Sequence, residues 1–461
     1  MNTITTINPA NEQPITTHGL MSQDVAFAKV EACHAAFLAW RGKTHEERAP
    51  VLRDVAKVLR KNSNALAALM TEETGKLLRD GATEVELCAQ LFEYAADHGP
   101  AALADEARTH ADGKKQGVVA YCPIGVIYSI QPWNFPVYQP VRVLASNLMA
   151  GNGVILKHAS ICTGSGLLLR DVCLEAGLPD GLFDVVLVDH DTSNEIIAHP
   201  LVRGVTLTGS DGTGRKVGQL AAAQLKKTVL ELGSNDAYIV LSDADVALAV
   251  KMCVQGRLYN NGETCVSAKR FVVTEAVYDA FVDGFVAQMK AVKLGKPTEE
   301  ETQLGPVSSK AQFDTLSEQV TKSLEAGATL LCGGVPEKSH DDIGYYFPAT
   351  VLADCKPGMP AYDDELFGPV AAIIRAGDDD DAMRIANDSR YGLGGAIFSK
   401  DQDRAMQLAH DHFDTGMVRI NFFGTADPNM PFGGVKDSGF GREHGGFGMK
   451  EFVNAKAIYL P

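Results

Sequence analysis

From Gly125 onward the chain alternates short apolar runs with amphipathic stretches, and this alternation restricts its fold more than any other feature. Residues 126–130, 153–156, 183–188, 205–208 and 228–232 read as strands. Residues 137–149, 164–176, 193–199 and the stretch after Thr208 to about 226 read as the helices between them. Strands that alternate with helices in this way predict an α/β fold, a parallel sheet covered on both faces. A second α/β half starts at 237–241, continues with a helix from 243 to about 256, and runs through further units to about 421.

The segment before Gly125 reads differently. Ser22 is placed to cap a helix carrying Val25, Val30, Cys33 and Phe37, and 46–61 and 82–97 repeat the helical pattern. Periodicity is lost over 104–115, and 117–122 and 125–130 are β-rich on either side of Pro123. A chain of 461 residues exceeds one ordinary core and implies two or three domains. A formal net charge of −16 argues against a nucleic-acid or anionic-membrane partner, because phosphates would be repelled. No apolar run is long enough to span a bilayer, and 1–20 is polar with no signal-peptide core. The nine cysteines lack Cys-x-x-Cys spacing, so neither a disulfide framework nor a zinc site is expected; the implied compartment is a reducing cytoplasm. Asp378 to Asp381 read as acidic residues favouring the start of the helix near Ala382, not as a cation site.

Three short stretches carry chemistry. Asn261-Gly262-Glu263-Thr264-Cys265 puts a cysteine after a glycine turn, and Glu231-Leu232-Gly233-Ser234 puts a carboxylate at the end of an apolar strand. Gln131-Pro132-Trp133-Asn134-Phe135-Pro136 supplies an amide. A thiol and a base of this kind are what thioester chemistry requires. Together with Ile7-Asn8-Pro9-Ala10 and Pro431-Phe432-Gly433-Gly434-Val435-Lys436, these stretches resemble the aldehyde dehydrogenase superfamily over nearly the whole chain.

The resemblance implies a Rossmann-type cofactor domain from 1–104 and 124–232, a catalytic domain from 233–430, and a small β arm from 105–123 and 440–461 that joins subunits into a homodimer or homotetramer. It makes Cys265 the nucleophile, in a setting expected to lower its pKa. Asn134 becomes the oxyanion donor together with the Cys265 N–H, and Glu231 the base that activates water. Burial beside valine and leucine is expected to raise the Glu231 pKa toward a working value. Glu263 and Ser234 depart from the family pattern, and Glu263 is expected to point away from the thiol.

For the cofactor, Thr208-Gly209-Ser210-Asp211-Gly212-Thr213-Gly214 joins a strand to a helix and suits a pyrophosphate, though it is not the Gly-x-Gly-x-x-Gly fingerprint. The resemblance assigns Trp133, Lys157, Ser160, Gly209, Ser210, Leu232, Glu365 and Phe367 to NAD or NADP, with Glu365 on the nicotinamide ribose. Ser160 stands where NAD-selective members often carry glutamate, so Lys157 and His158 are expected to admit a 2′-phosphate and both cofactors to be used. No metal is called for.

Arg142 resembles the arginine that holds the distal carboxylate in a bacterial succinate-semialdehyde subgroup. Two further members of that cradle are replaced by Tyr259 and Asp427, with Arg257 and Arg419 as candidates to complete it. The expected substrate is a small aldehyde, foremost succinate semialdehyde, with glutarate semialdehyde or an uncharged aldehyde as alternatives. A coenzyme-A-acylating enzyme would have no use for Glu231, and a silent structural member no need of all three catalytic residues.

Overall fold

A computed structural model describes residues 3–111, 113, 115–336 and 343–461. Two residues of the expected arm, 112 and 114, lie outside that set. The first large sheet has six strands in the order Gly439–Phe440, Lys227–Glu231, Val202–Thr208, Val126–Gln131, Gly153–His158, Phe183–Val185. All neighbours are parallel except the short Gly439–Phe440, which pairs antiparallel with the end of Lys227–Glu231. Strand Val126–Gln131 is buried along nearly its whole length, as a parallel strand covered on both faces must be. The strand order reverses at Val126–Gln131 and Val202–Thr208, the place where open α/β sheets open a crevice for ligands.

The second sheet has seven strands, ordered Thr329–Cys332, Thr350–Ala353, Val370–Ala376, Arg270–Thr274, Ala237–Val240, Gly394–Phe398, Met417–Ile420. Only Thr329–Cys332 runs antiparallel to its neighbour. A third sheet joins Val453–Tyr459, Gln116–Pro123 and Glu106–Thr109. Thus 440–461 is not one unit: Phe440 belongs to the first large sheet, a helix fills Gly445–Glu451, and Val453–Tyr459 joins the third sheet.

The helices expected before residue 104 are present as Gln23–Trp40, His45–Lys61 and Leu78–Ala102, with two further elements beside them. A hairpin, Thr3–Ile7 with Pro14–Gly19, precedes the first helix. Helix Ser63–Thr74, absent from the sequence reading, follows His45–Lys61 directly. Ser22 accepts from Val25 N–H and caps Gln23–Trp40 as expected. Asp378 likewise caps Asp379–Asn387 through Asp381 N–H. Among the described residues no helix is long and apolar enough to cross a membrane, and no side-chain cluster could hold a metal ion.

One buried amide fastens the third sheet to the first. Asn152 Oδ1 accepts from Ile124 and Gly125 N–H, while its Nδ2 donates to Asn147 Oδ1 and to Phe452 O at the root of Val453–Tyr459. Asn152 is fully buried, so Asn152→Ala strands two N–H groups away from water. Urea unfolding should show a loss on the order of 3 kcal/mol, with the slope unchanged.

Candidate active site

The cysteine arrives on a left-handed turn. Asn260, Asn261 and Gly262 have φ of 53°, 56° and 77°. Asparagine tolerates this region because its short polar side chain can bond to backbone, and here both amides do so. Asn261 Nδ2 donates to Gly75 and Pro306 carbonyls, and its Oδ1 accepts from Gly305 N–H. Gly262 has no alternative: a Cβ there would sit 2.4 Å from Gly368 backbone. Behind the turn the buried Arg257 guanidinium donates to Gly262, Val370 and Leu366 carbonyls. Arg257 is thereby a support of the turn and not a substrate ligand.

The turn also holds the amide. Asn260 Nδ2 donates to Asn134 O at 2.9 Å and to Glu263 O at 3.0 Å. Asn134 Nδ2 donates to Glu263 O at 3.1 Å, and its Oδ1 accepts from Gln139 Nε2. One Asn134 N–H is therefore anchored, which fixes the direction of the other. The following helix Tyr138–Ala150 is held at its start by the buried Glu84, which accepts from Val137 and Tyr138 N–H and pairs with Lys76. Glu263 turns its carboxylate to Ser308 N–H, where burial pushes its pKa up to about 8.

Asn134 and Cys265 share one cavity of about 280 Å³ with Trp133, Gly209, Ser210, Leu232, Glu365 and Phe367. It opens where the strand ends at Gln131 and Thr208 meet the Cys265 loop. Trp133 stands edge-on to Phe367 at 5.6 Å. Ser210 caps helix Asp211–Ala223, whose N-terminus could receive a phosphate. A Cβ on Gly233 would stand 2.9 Å from Glu365 Oε2, so glycine leaves that carboxylate at the pocket wall. These groups fit a dinucleotide: an anion site at the helix start, an aromatic slot, and a carboxylate for ribose hydroxyls.

Lys157 and Ser160 stand at the end of Gly153–His158, on the same sheet edge. Lys157 is largely buried, which lowers its pKa against the pull of Asp189. His158 does not join them. It is buried, with Nε2 2.7 Å from Pro136 O and Nδ1 3.3 Å from Gln131 O, and burial drops its pKa to about 4. A neutral, inward imidazole offers no charge to a phosphate.

Glu231 ends its strand with 2% exposure, and neither carboxylate oxygen finds a hydrogen-bond partner among the described residues. Burial, then Glu443, push its pKa well above the carboxylate range, while Arg142 opposes them. Gly433, at φ 149°, makes room for it; a Cβ would lie 2.7 Å from Glu231 Oε1. Arg142 is buried too. It pairs with Glu443, donates from Nη2 to Thr208 Oγ1 at 2.9 Å, and lies over the Phe432 ring. Its charge is thus already matched inside the protein, and its Nη1 has no acceptor among the described residues. Glu443 was missed in the sequence; it reaches the site because Phe432 and Glu443 exchange backbone hydrogen bonds.

The expected lowering of the Cys265 pKa is not found. Burial raises the thiol to about 12; Arg142 and Lys269 pull it down, and Glu365 and Glu231 push it up. The thiol sits beside Val266 and Phe432 rather than at a helix N-terminus. The two replaced cradle positions do not close on it: Tyr259 stacks on Phe135, and Asp427 accepts from Asn429 N–H. Arg419 donates to Thr425 O and lines a separate cavity of about 390 Å³.

Residues 1–458 match the aldehyde dehydrogenase family model. The chain belongs to that family. It is 41% identical over 453 residues to the succinate-semialdehyde dehydrogenase [NADP(+)] of Deinococcus radiodurans, covering 98% of this chain and 94% of that one. It is also 41% identical over 459 residues to succinate-semialdehyde dehydrogenase [NADP(+)] 1 of Mycobacterium ulcerans, at 99% coverage of both. Among solved structures, the succinic semialdehyde dehydrogenase of Streptococcus pyogenes in complex with NADP+ superposes with a TM-score of 0.96 at 38% identity, over 99% of this chain and 100% of that one.

A thiol held this high ionises late. Alkylation of Cys265 by iodoacetamide, with no other ligand, should accelerate steadily from about pH 6 to about pH 10, because the thiolate fraction keeps growing below the pKa. A plateau near neutrality would mean a thiol already ionised.

Proposed function

We propose that this protein oxidises succinate semialdehyde to succinate, with NADP as cofactor and NAD as a second, weaker one. The Cys265 thiol gives up its proton to solvent, its sulfur adds to the aldehyde carbon as the C=O π bond opens, and the carbonyl oxygen takes the negative charge. The free N–H of Asn134 donates to that oxygen, a contact worth on the order of a hundred-fold in rate. When bound, the nicotinamide supplies the acceptor for the hydride that leaves the carbon. Cys265 is then held as a thioester. Glu231 takes a proton from water, the water oxygen attacks the thioester carbon, and the C–S bond breaks to release carboxylate and thiol.

One observation carries the substrate. The Arg142 guanidinium is buried within electrostatic reach of Cys265, with Nη1 lacking an acceptor. A four-carbon aldehyde on the sulfur has its far carboxylate a few ångströms away, where one N–H of a guanidinium suits it. All three bacterial relatives described above bear this activity in their names. For the cofactor, Lys157 with an exposed Ser160 in place of a carboxylate favours a 2′-phosphate. The exposed Ile458, Tyr459 and Leu460 on the third sheet support a homo-oligomer formed through that arm. Nine cysteines without disulfides suit a cytoplasmic setting.

Arg142→Ala should lower kcat/KM for succinate semialdehyde by about a hundred-fold more than for butanal. Equal losses on both aldehydes would restrict Arg142 to balancing Glu443 and Glu231. Ser160→Glu should lower kcat/KM for NADP by at least about ten-fold and leave NAD nearly unchanged, since a carboxylate repels only the phosphate; an unchanged cofactor ratio would contradict the assignment.

A further inference from the structure

Lys269 is not called upon by the chemistry above, yet it lies fully inside the site, with 2% exposure. Its Nζ is 2.6 Å from Cys265 O, 2.9 Å from Ser234 Oγ and 3.2 Å from Thr264 O. On its other side Nζ stands 3.2 Å from Glu365 Oε1. The ammonium thus donates to the backbone of the cysteine loop and to the Ser234 hydroxyl while it stands in ion-pair range of a carboxylate. Ser234 belongs to the same knot: it donates to Cys265 O while accepting from Lys269. The serine that departs from the family pattern therefore has a use, since a glycine there would leave the Cys265 carbonyl with one donor fewer.

We propose that Lys269 is a positioning residue, a single ammonium that ties the Cys265 loop to Glu365 and so registers the nucleophile against the ribose-binding wall of the pocket. The lysine touches the carbonyl of the nucleophile's own residue, so any shift of Nζ moves the sulfur's backbone. It also meets the one carboxylate of the cavity wall that Gly233 keeps exposed to the pocket. The charges facing Cys265 are Arg142, Lys269, Glu365 and Glu231, and Lys269 is the cation among them that contacts the cysteine loop directly. Asp236, whose backbone carbonyl accepts from Lys269 N–H, adds a second acid near the ammonium. The positive charge of Lys269 favours the thiolate, and the Glu365 carboxylate opposes it.

Two variants shift the thiol in opposite directions if the tether exists. Lys269→Met should slow alkylation of Cys265 by iodoacetamide at neutral pH by about ten-fold, moving the profile up by about one pH unit. Glu365→Gln should move it down, because a negative neighbour is removed while Lys269 stays. Lys269→Arg, which keeps the charge, should restore most of the rate. Resting on the dehydrogenase reading only for the ribose site, the second arm titrates NADPH fluorescence: Lys269→Met should weaken NADPH binding several-fold as Glu365 loses its partner. Lys269→Met and Glu365→Gln profiles that both coincide with the parent's would overturn the proposal. So would a Lys269→Met protein that loses thermal stability while keeping the parent's alkylation profile and NADPH affinity. If Lys269→Met does not fold, an unshifted Glu365→Gln profile alone overturns it. Alkylation needs no aldehyde, so failure here is distinguishable from failure of the substrate assignment.

Discussion

Everything at this site depends on one crossing: the carbonyl of Glu263 receives both Asn134 Nδ2 and Asn260 Nδ2. Asn134 belongs to the loop after a strand of the first sheet, and Glu263 to the loop that leads into the second. Two amide donors on one buried oxygen lock these loops together in a place where water cannot compete. The three left-handed residues at 260–262 aim the carbonyl at its donors, and asparagine and glycine are among the residues that accept that backbone most readily. Cys265 and Asn134 are thus held in register by hydrogen bonds between the two loops.

The electrostatics follow from burial. Glu231, Glu443, Glu365, Arg142 and Lys269 are gathered in a region nearly closed to solvent. Charges in such a setting persist only when matched, and here two cations face three acids. Burial first, and then the neighbouring acids, push the Glu231 carboxyl well above the carboxylate range and the Cys265 thiol up to about 12.

Much of the architecture was readable from sequence, because alternating strand and helix patterns leave few options for a parallel sheet. Cys265, Asn134 and Glu231 were readable as candidates as well, since each sits in a short stretch whose chemistry is local. Residues that enter by tertiary packing were not. Glu443 reaches Arg142 through an isolated bridge with Phe432, and Lys269 folds back onto Cys265 O, neither of which has a sequence signature. His158 was misassigned although a signal existed: neighbours on a strand point to opposite faces, so Lys157 and His158 cannot both face one phosphate. The N-terminal hairpin also left a trace in the β-branched run Thr3–Ile7. The expected low thiol pKa failed because burial and two carboxylates outweigh two cations, a balance that only coordinates reveal.

The central proposed step is a thioester formed on Cys265 and cleared by Glu231. It is tested by intact-protein mass spectrometry of Glu231→Gln, quenched after mixing with succinate semialdehyde and NADP. One equivalent of NADPH released in a burst and one acyl group accumulating on Cys265, located by peptide mapping, are expected. Turnover at the parent's rate with no adduct, or an acyl group on another residue, would contradict it.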